Sequence, residues 1–228
     1  MNSFAKLAGI AGLTTAMSAQ AGFIVDTANV GPVAGTASSI PANNDLKAIL
    51  SAHGLSASSY YIGGRLLSDV GGTVSYQYLG KEAGFTNQFD IYSGTSVLFS
   101  TAGHPDSTWN PSALSAPLSV GAGQYVDFTF CTSGGDGEPA GCVSNANNSY
   151  FQGNLSADKT IAVTLLDPFT ALLWWDDSGA GPDDDHDDMV VLAKLSVPEP
   201  GTSALFGLGL LGMGFAMRKK AKPQMLLA

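Results

Sequence analysis

The residues with the clearest capacity for chemistry are seven aspartates that crowd into thirteen positions of the sequence WWDDSGAGPDDDHDDMVV. Carboxylate oxygens are the ligands that Ca²⁺ prefers, and a charge run of this density repels itself unless a cation compensates it. Asp183, Asp185 and Asp187 alternate, as aspartates do at the start of a calcium-binding loop. We therefore predict a Ca²⁺ site with the ligands Asp177, Asp183, Asp185, Asp187 and Asp188.

The acidic run is not an EF-hand. Counted from Asp183, the sixth position holds Asp188 where that loop needs glycine, and the twelfth holds Lys194 where a bidentate glutamate closes the loop. His186 lacks a second His or Cys nearby in sequence with which to form a zinc site, so we expect its side chain to be exposed. The alternative to a Ca²⁺ site is a solvated acidic loop that binds nothing specifically.

Catalytic motifs are missing from the sequence. It contains neither the G-x-S-x-G turn of serine hydrolases nor the H-E-x-x-H motif of zinc proteases. The stretch AGHPDSTW brings His104, Asp106 and Ser107 together, but it reads as a loop. A glycosidase pair of carboxylates among the acids is the alternative, although the spacing selects no pair. We therefore predict that the protein is not an enzyme.

The segments around the acidic run read as short strands. The sequences TVSYQYLG (73–80) and QYVDFTF (124–130) alternate between apolar and polar residues, which is typical of half-buried strands. ALLWW before the acidic run and MVVLAKL after it place the run in a loop between two strands. One helix is predicted in NNDLKAILSAHG, which begins at an asparagine cap and ends at Gly54. The sequence therefore predicts an antiparallel β-sandwich or jelly roll over residues 22–196, with one short helix.

Composition and charge restrict the partners of this body. The chain is 45% hydrophobic and has 28 glycines, but only 13% of its residues are charged, which suits a folded, turn-rich β protein. The net charge is −9, and residues 22–197 contain 18 of the 19 acids and only five basic residues. A surface this negative repels phosphate backbones, so we predict that the protein does not bind nucleic acid.

The N-terminus has the three parts of a secretory signal peptide. Lys6 gives a positive start, residues 7–17 form a short apolar segment, and Ala19 and Ala21 form an A-x-A cleavage site. We predict that residues 1–21 direct export through the Sec translocon and are removed by signal peptidase after Ala21. The alternative is an amphipathic N-terminal helix.

The C-terminus reads as a membrane anchor. Eighteen consecutive residues from Pro200 to Met217 carry no charge, and as a helix they would span about 27 Å, close to the thickness of the bilayer core. We predict a transmembrane helix at about 201–217, a basic cluster at 218–222 that stays on the cytoplasmic side, and a tail at 223–228. The span is short and rich in glycine, so a marginal, temporary anchor is expected. A buried core helix is the alternative.

The order of signals in this tail resembles the PEP-CTERM protein-sorting signal over residues 197–222. Its parts are Val197, Pro198, Glu199 and Pro200, then the apolar span, then Arg218, Lys219 and Lys220. The resemblance implies a Gram-negative, biofilm- or floc-forming bacterium, whose exosortase recognises the Pro-Glu-Pro region and processes the tail. The chain departs from the pattern because eight residues, 221–228, follow the basic cluster.

Cys131 and Cys142 are the two cysteines of the chain, and both belong to the exported part. Export into an oxidising compartment favours a disulfide between them, which would close a turn-rich loop next to a predicted strand. Two reduced thiols or a metal-binding pair are the alternatives.

The body also resembles an uncharacterised domain family of exported bacterial proteins. The resemblance lies in YLGKEAGFTNQFDIY (78–92) and in the succession of a strand, an Asp-rich loop and a final strand. It implies a β-sandwich whose acidic loop can hold Ca²⁺, with no established activity.

These observations favour a non-enzymatic protein of the cell surface or extracellular matrix, anchored in the inner membrane while it is sorted. One alternative is a calcium-dependent module that binds glycans of the exopolysaccharide matrix, with Trp109, Trp174 or Trp175 stacking on sugars. A secreted hydrolase with an unrecognised site is the less favoured alternative.

Overall fold

The computed structural model describes most of the predicted body and little of the two ends. The described residues are 22–31, 38–39, 46–56, 59–92, 94–105, 109–135, 139–150, 159–178, 186–198, 207–211 and 213. The predicted signal peptide, with Ala19 and Ala21, therefore lies outside them, as do Glu199, Pro200 and the basic cluster.

The described elements are mainly short strands. In chain order they are β1 (Phe23–Asp26), β2 (Ser38–Ser39), α1 (Leu46–Ala52), β3 (Ser59–Ile62), β4 (Arg65–Ser68), β5 (Gly72–Gly80), β6 (Asn87–Ile91), β7 (Ser96–Ser100), β8 (Leu118–Val120), β9 (Gln124–Tyr125), β10 (Thr129–Thr132), β11 (Gly141–Ser144), a 3-10 turn (Asn145–Asn147), β12 (Thr160–Asp167), β13 (Thr170–Asp176) and β14 (Met189–Ser196).

These strands form three antiparallel sheets. The large sheet has seven strands in the order β2-β3-β12-β13-β14-β5-β8, and the smaller sheets have the orders β1-β4-β9 and β11-β10-β6-β7. Apolar side chains from both smaller sheets pack with one face of the large sheet into a single core. The predicted antiparallel β-sandwich is therefore confirmed.

The centre of this core is aromatic. Phe89 lies 4.9 Å from both Tyr76 and Phe130, measured between ring centroids, and each pair packs edge to face. Phe130 stacks on Trp175 at 5.6 Å, with the ring planes 7° apart. These contacts join the four-stranded sheet to the large sheet.

The outer face of the large sheet is also buried, because α1 covers it. Ile49 and Leu50 of the helix pack in a second cluster with Leu172 and Trp174 of β13. The helix ends as predicted at Gly54, which has a φ of 65°. The amides of Gly54 and Leu55 donate to the carbonyls of Ser51 and Leu50, which is the Schellman arrangement that a glycine allows.

The predicted strand over 124–130 is interrupted where the chain changes sheets. Its first part, β9, pairs with β4, and its second part, β10, pairs with β6. Val126, Phe128 and Phe130 still face the core, as their alternation predicts. The prediction of one continuous strand was wrong because each half finds its partner in a different sheet.

Two asparagine side chains complete the hydrogen bonding beside this junction. Asn145 accepts a hydrogen bond from the amide of Leu66 at 2.8 Å and donates to the carbonyls of Leu66 and Val126, both at 2.8 Å. Asn148 likewise accepts from the amide of Ile161 at 3.0 Å and donates to its carbonyl at 2.8 Å. Both side chains are about 1% exposed. The polar segment around Asn145 and Asn148 looks like a loop in the sequence, but its side chains make the backbone hydrogen bonds that a neighbouring strand would otherwise make.

No helix among the described residues is long and apolar enough to cross a membrane. Within the predicted span at about 201–217, residues 207–211 and 213 are described, and they are helical. Leu208, Leu210, Leu211 and Met213 expose half or more of their surface there. The transmembrane helix stays a prediction.

Candidate functional site

The acidic run connects two neighbouring strands in the middle of the large sheet, as predicted. β13 ends at Asp176 and β14 begins at Met189, and Trp175 and Met189 face each other across the ladder. The described parts of the connection are residues 177–178 and 186–188. Asp183 and Asp185, two of the predicted ligands, lie outside the described residues.

The aspartates at the base of this connection are buried. Their exposed fractions lie between 1% and 4%, for Asp176, Asp177, Asp187 and Asp188. A buried ionised carboxylate costs several kcal/mol unless hydrogen bonds or an opposite charge compensate it. The base of the run is therefore part of the protein interior and does not form the solvated surface that its composition suggests.

Asn87, at the start of β6, ties this base to the opposite sheet. Its side-chain amide donates to Oδ2 of Asp177 at 2.6 Å and, more weakly, to the carbonyl of Asp188 at 3.3 Å. Its side-chain carbonyl accepts from the indole N–H of Trp175 at 3.2 Å. Because Asn87 is fully buried, this network holds the acidic run in register with the aromatic core.

The two ends of the connection also bind each other. Oδ2 of Asp188 accepts from the amide of Asp177 at 2.7 Å, and Oδ1 of Asp176 accepts from the amide of Ser178 at 3.1 Å. The carbonyl of Asp187 accepts from the amide of Glu82 at 2.9 Å. The structure thus brings Asp177 and Asp188 together, with Asp187 hydrogen-bonded to the segment that follows β5.

Lysine and histidine side chains are buried beside the aspartates. Lys81 is 3% exposed, and its ammonium donates to the carbonyl of Ala83 at 2.7 Å. His186 is 1% exposed, and its Nε2 lies 2.7 Å from the hydroxyl of Thr160. The expectation that His186 is exposed was wrong, because its left-handed backbone, with a φ of 60°, turns it towards β12.

The described residues do not by themselves contain a group of three or more His, Cys, Asp or Glu side chains that could hold a metal ion. A complete Ca²⁺ site, which needs about six oxygen ligands, would therefore require oxygens from outside the described part, such as those of Asp183 and Asp185. The five-ligand site stays a prediction.

The disulfide between Cys131 and Cys142 is confirmed. The two residues face each other across the antiparallel pair of β10 and β11. The bond therefore fastens the edge strand β11 to the four-stranded sheet, and the alternatives of free thiols or a metal-binding pair were wrong.

The tryptophans do not form an exposed sugar platform. Trp174 is 1% exposed and Trp175 is fully buried, because they lie on opposite faces of β13 and both faces are covered. Trp109 is half-buried against the outer cluster. The interpretation of Trp174 and Trp175 as sugar-stacking residues was wrong.

Two surface clefts lie near the junction between the smaller sheets, where the sequence indicates no site. One has a volume of about 450 Å³ and is lined by Tyr125, Val126, Asp127, Phe128, Ser144, Ala146 and Asn147. The other has a volume of about 320 Å³ and is lined by Val74, Tyr76, Tyr92, Pro117, Leu118, Ser119, Val120, Val126 and Asp127. Asp127 lines both clefts, and it is the one carboxylate among the described residues of either lining.

Comparison with known families identifies the C-terminal segment. Residues 196–220 match the PEP-CTERM protein-sorting motif. No curated protein sequence matches the chain. The motif implies export, membrane-associated sorting and processing by an exosortase, so the predicted sorting signal is confirmed. The match covers a small part of the chain, and the resemblance of the body to an exported domain family stays a prediction.

Proposed function

We propose that the body of this exosortase-sorted chain is a non-enzymatic structural protein of the cell surface or extracellular matrix. The observation that carries the proposal is that the folded domain ends, and the sorting motif begins, at one residue. β14, an interior strand of the large sheet, ends at Ser196, and the sorting motif begins at the same residue. The sandwich is thus the domain that is exported, and the segment that follows it is the sorting signal.

The arrangement of acid and base groups supports a non-enzymatic role over the hydrolase alternative. General acid–base hydrolysis of a glycoside needs two carboxyl groups flanking one bond, and among the described residues the lining of each of these two clefts contains one, that of Asp127. His186 is buried against Thr160, and His104 packs edge-on beside the ring of Tyr78 at 5.8 Å. The described contacts of these two histidines are packing contacts within the fold.

Location is tested by fractionating a Gram-negative host that carries an exosortase. The full chain is expected in the cell-surface or extracellular fraction, and a chain that lacks residues 197–228 is expected in the periplasm. A host without exosortase should retain the full chain in the inner membrane. This control shows whether the change of location depends on exosortase. Unchanged location after the deletion would refute the sorting part of the proposal.

We also propose that the acidic run binds Ca²⁺ as a structural ion. Asp177, Asp187 and Asp188 offer buried carboxylates at one end of a hairpin, and the remaining ligands would come from Asp183 and Asp185. The donor set is made of oxygens, which fits Ca²⁺ better than zinc. The ion would offset the negative charge of the run and so stabilise the hairpin at the middle of the large sheet.

Calcium binding is tested by calorimetry and thermal melting of the purified full chain in mild detergent. For a dissociation constant of about 0.1 mM, 10 mM Ca²⁺ would add about 2.7 kcal/mol to stability and raise Tm by about 5–10 °C. Asp188→Asn should abolish this Ca²⁺-dependent rise in Tm. Asp167→Asn is the matched control, because Asp167 is the last residue of β12, at the opposite end of the β12–β13 hairpin, and is exposed. Absence of binding heat and of any Tm shift would refute the proposal.

A further inference from the structure

We propose that the two clefts around Asp127 form one groove that binds a neutral saccharide chain. The proposal rests on the proposed matrix function for the choice of ligand, and on the structure for the site. The clefts share Val126 and Asp127 as wall residues, so they adjoin each other at the point where the chain leaves β9 for β10. Their volumes, about 320 and 450 Å³, lie in the range of small-ligand sites.

Each side of the groove has a tyrosine. Tyr92 is 58% exposed and lines the smaller cleft, and Tyr125 lines the larger one. Tyrosine combines a flat apolar face, which can stack on the C–H face of a pyranose ring, with a hydroxyl that hydrogen-bonds to water or ligand. Two such rings around one carboxylate are suited to consecutive sugar units.

The backbone at Tyr92 is strained. Its φ is 53°, the left-handed region that bulky residues avoid. A strained residue costs about 1–3 kcal/mol and is retained where the surroundings or a function require it. The turn between β6 and β7 holds this backbone, because the amide and the hydroxyl of Thr95 donate to the carbonyl of Tyr92 at 3.3 and 2.7 Å. The turn explains the backbone but not the choice of a tyrosine, because glycine or asparagine adopts this conformation more easily.

The ring of Tyr125 is held in place before any ligand arrives. Its hydroxyl donates to Oδ2 of Asp26 at 2.6 Å, and the guanidinium of Arg65 lies 4.9 Å from its ring centroid. Arg65 and Asp26 form an ion pair, and Arg65 also donates to the carbonyl of Ala146 at 3.3 Å. A side chain that is already ordered loses less entropy when it binds.

Polar groups that recognise hydroxyls line the same surface. The side chains of Asp127 and Asn147 are exposed, and Ser144 is half-buried beside them. Carboxylate and amide groups together accept from and donate to sugar hydroxyls. The floor is rigid, because Asn145 fastens the adjoining turn to the backbone of β4 and of residue 126.

Charge selects a neutral saccharide over an acidic one. Arg65 is paired with Asp26, and Asp127 is an acidic residue in the lining of both clefts. Residues 22–197 carry 18 acids against five basic residues, which repels uronate, sulfate or phosphate chains. A cationic peptide is the rival occupant, and the two tyrosine platforms favour the sugar.

Affinity electrophoresis of the purified full chain in mild detergent tests the proposal. The probes are three soluble neutral polysaccharides (a β-glucan, dextran and mannan), anionic alginate, and oligolysine. We expect at least one neutral polysaccharide to retard the protein and alginate to leave it unaffected. Retardation by alginate alone, interaction with oligolysine alone, or no interaction with any probe would overturn the proposal.

Variants locate the site. Tyr92→Ala should weaken neutral-saccharide binding about tenfold, and Tyr92→Phe should restore it, because the ring remains. Tyr92→Asn should also lose binding while Tm stays equal or rises, since asparagine tolerates the left-handed backbone. Asp127→Asn should weaken binding about threefold, whereas Asp167→Asn should leave it unchanged. Full binding by Tyr92→Ala would overturn the site, and fractionation of the same variant reports separately whether the matrix location stands.

Discussion

Replacement of Asn145 by alanine is predicted to lower the free energy of unfolding by about 2–6 kcal/mol. The side chain satisfies the amide of Leu66 and the carbonyl of Val126, and it is 1% exposed. The carbonyl of Leu66 keeps a second donor, the amide of Val126 at 3.0 Å, so alanine orphans two backbone groups. Each buried unsatisfied group costs about 1–3 kcal/mol, against a total stability of about 5–15 kcal/mol for a typical domain.

Urea unfolding of the full chain, followed by tryptophan fluorescence, measures this change. Asn147→Ala is the matched control, because Asn147 lies on the same 3-10 turn with an exposed side chain, and it should change stability by less than about 0.5 kcal/mol. Equal stability of the two variants would refute the inference that Asn145 replaces strand hydrogen bonds.

Asn145→Asp separates hydrogen bonding from shape. The introduced carboxylate keeps the acceptor for the amide of Leu66 but sets a negative charge against two carbonyl oxygens, so burial and repulsion raise its folded-state pKa. The penalty should be small below about pH 4, near the pKa of an unfolded aspartate, and should grow as the pH rises through the folded-state pKa. A pH-independent penalty would contradict this explanation.

Three further changes probe other parts of the sandwich. Cys131→Ser should cost about 3 kcal/mol, because the disulfide closes a sequence separation of 11 residues, and the variant should unfold identically with and without a reducing agent. Gly63→Ala should cost more than about 3 kcal/mol in urea unfolding, because a Cβ there would lie 2.2 Å from a main-chain nitrogen at a φ of 75°, whereas Gly84→Ala meets no atom within 4 Å and serves as the control. The hydrogen bond from Tyr125 holds the pKa of Asp26 below its usual value. The ionised carboxylate of Asp26 therefore contributes to stability above about pH 4, and this contribution is lost as the pH falls through the folded-state pKa. Asp26→Asn should thus flatten the acid side of a plot of Tm against pH.

The position of the acidic run followed from the sequence, but its burial did not. Two apolar segments on either side are enough to place Asp177 and Asp188 at the ends of a hairpin. Burial depends on Asn87, which donates to Asp177 from 90 residues away in sequence. Charge density alone indicates a solvated loop, and no local pattern identifies the buried amide that compensates it.

Tertiary packing overturned the interpretation of Trp174 and Trp175 as sugar-stacking residues. In a sheet with one wet face, Trp174 and Trp175 cannot both be buried, and one of them would be free for a ligand. Here α1 covers the outer face, and only the pairing of helix and sheet in three dimensions reveals this. The clefts beside Asp127 were not predictable for the same reason, since Tyr92 and Tyr125 are 33 positions apart in sequence and only the fold places them in adjoining clefts.

The position of β14 in the large sheet determines the order of export and folding. β14 pairs with β13 on one side and β5 on the other, so the large sheet stays split into two halves until the last residues before the sorting motif arrive. A chain that is exported from its N-terminus therefore completes its fold only after Ser196 has crossed the membrane. Val197 packs against the core. A processing enzyme should therefore cleave on the C-terminal side of Val197, because cleavage before it would remove part of the packing of the sheet.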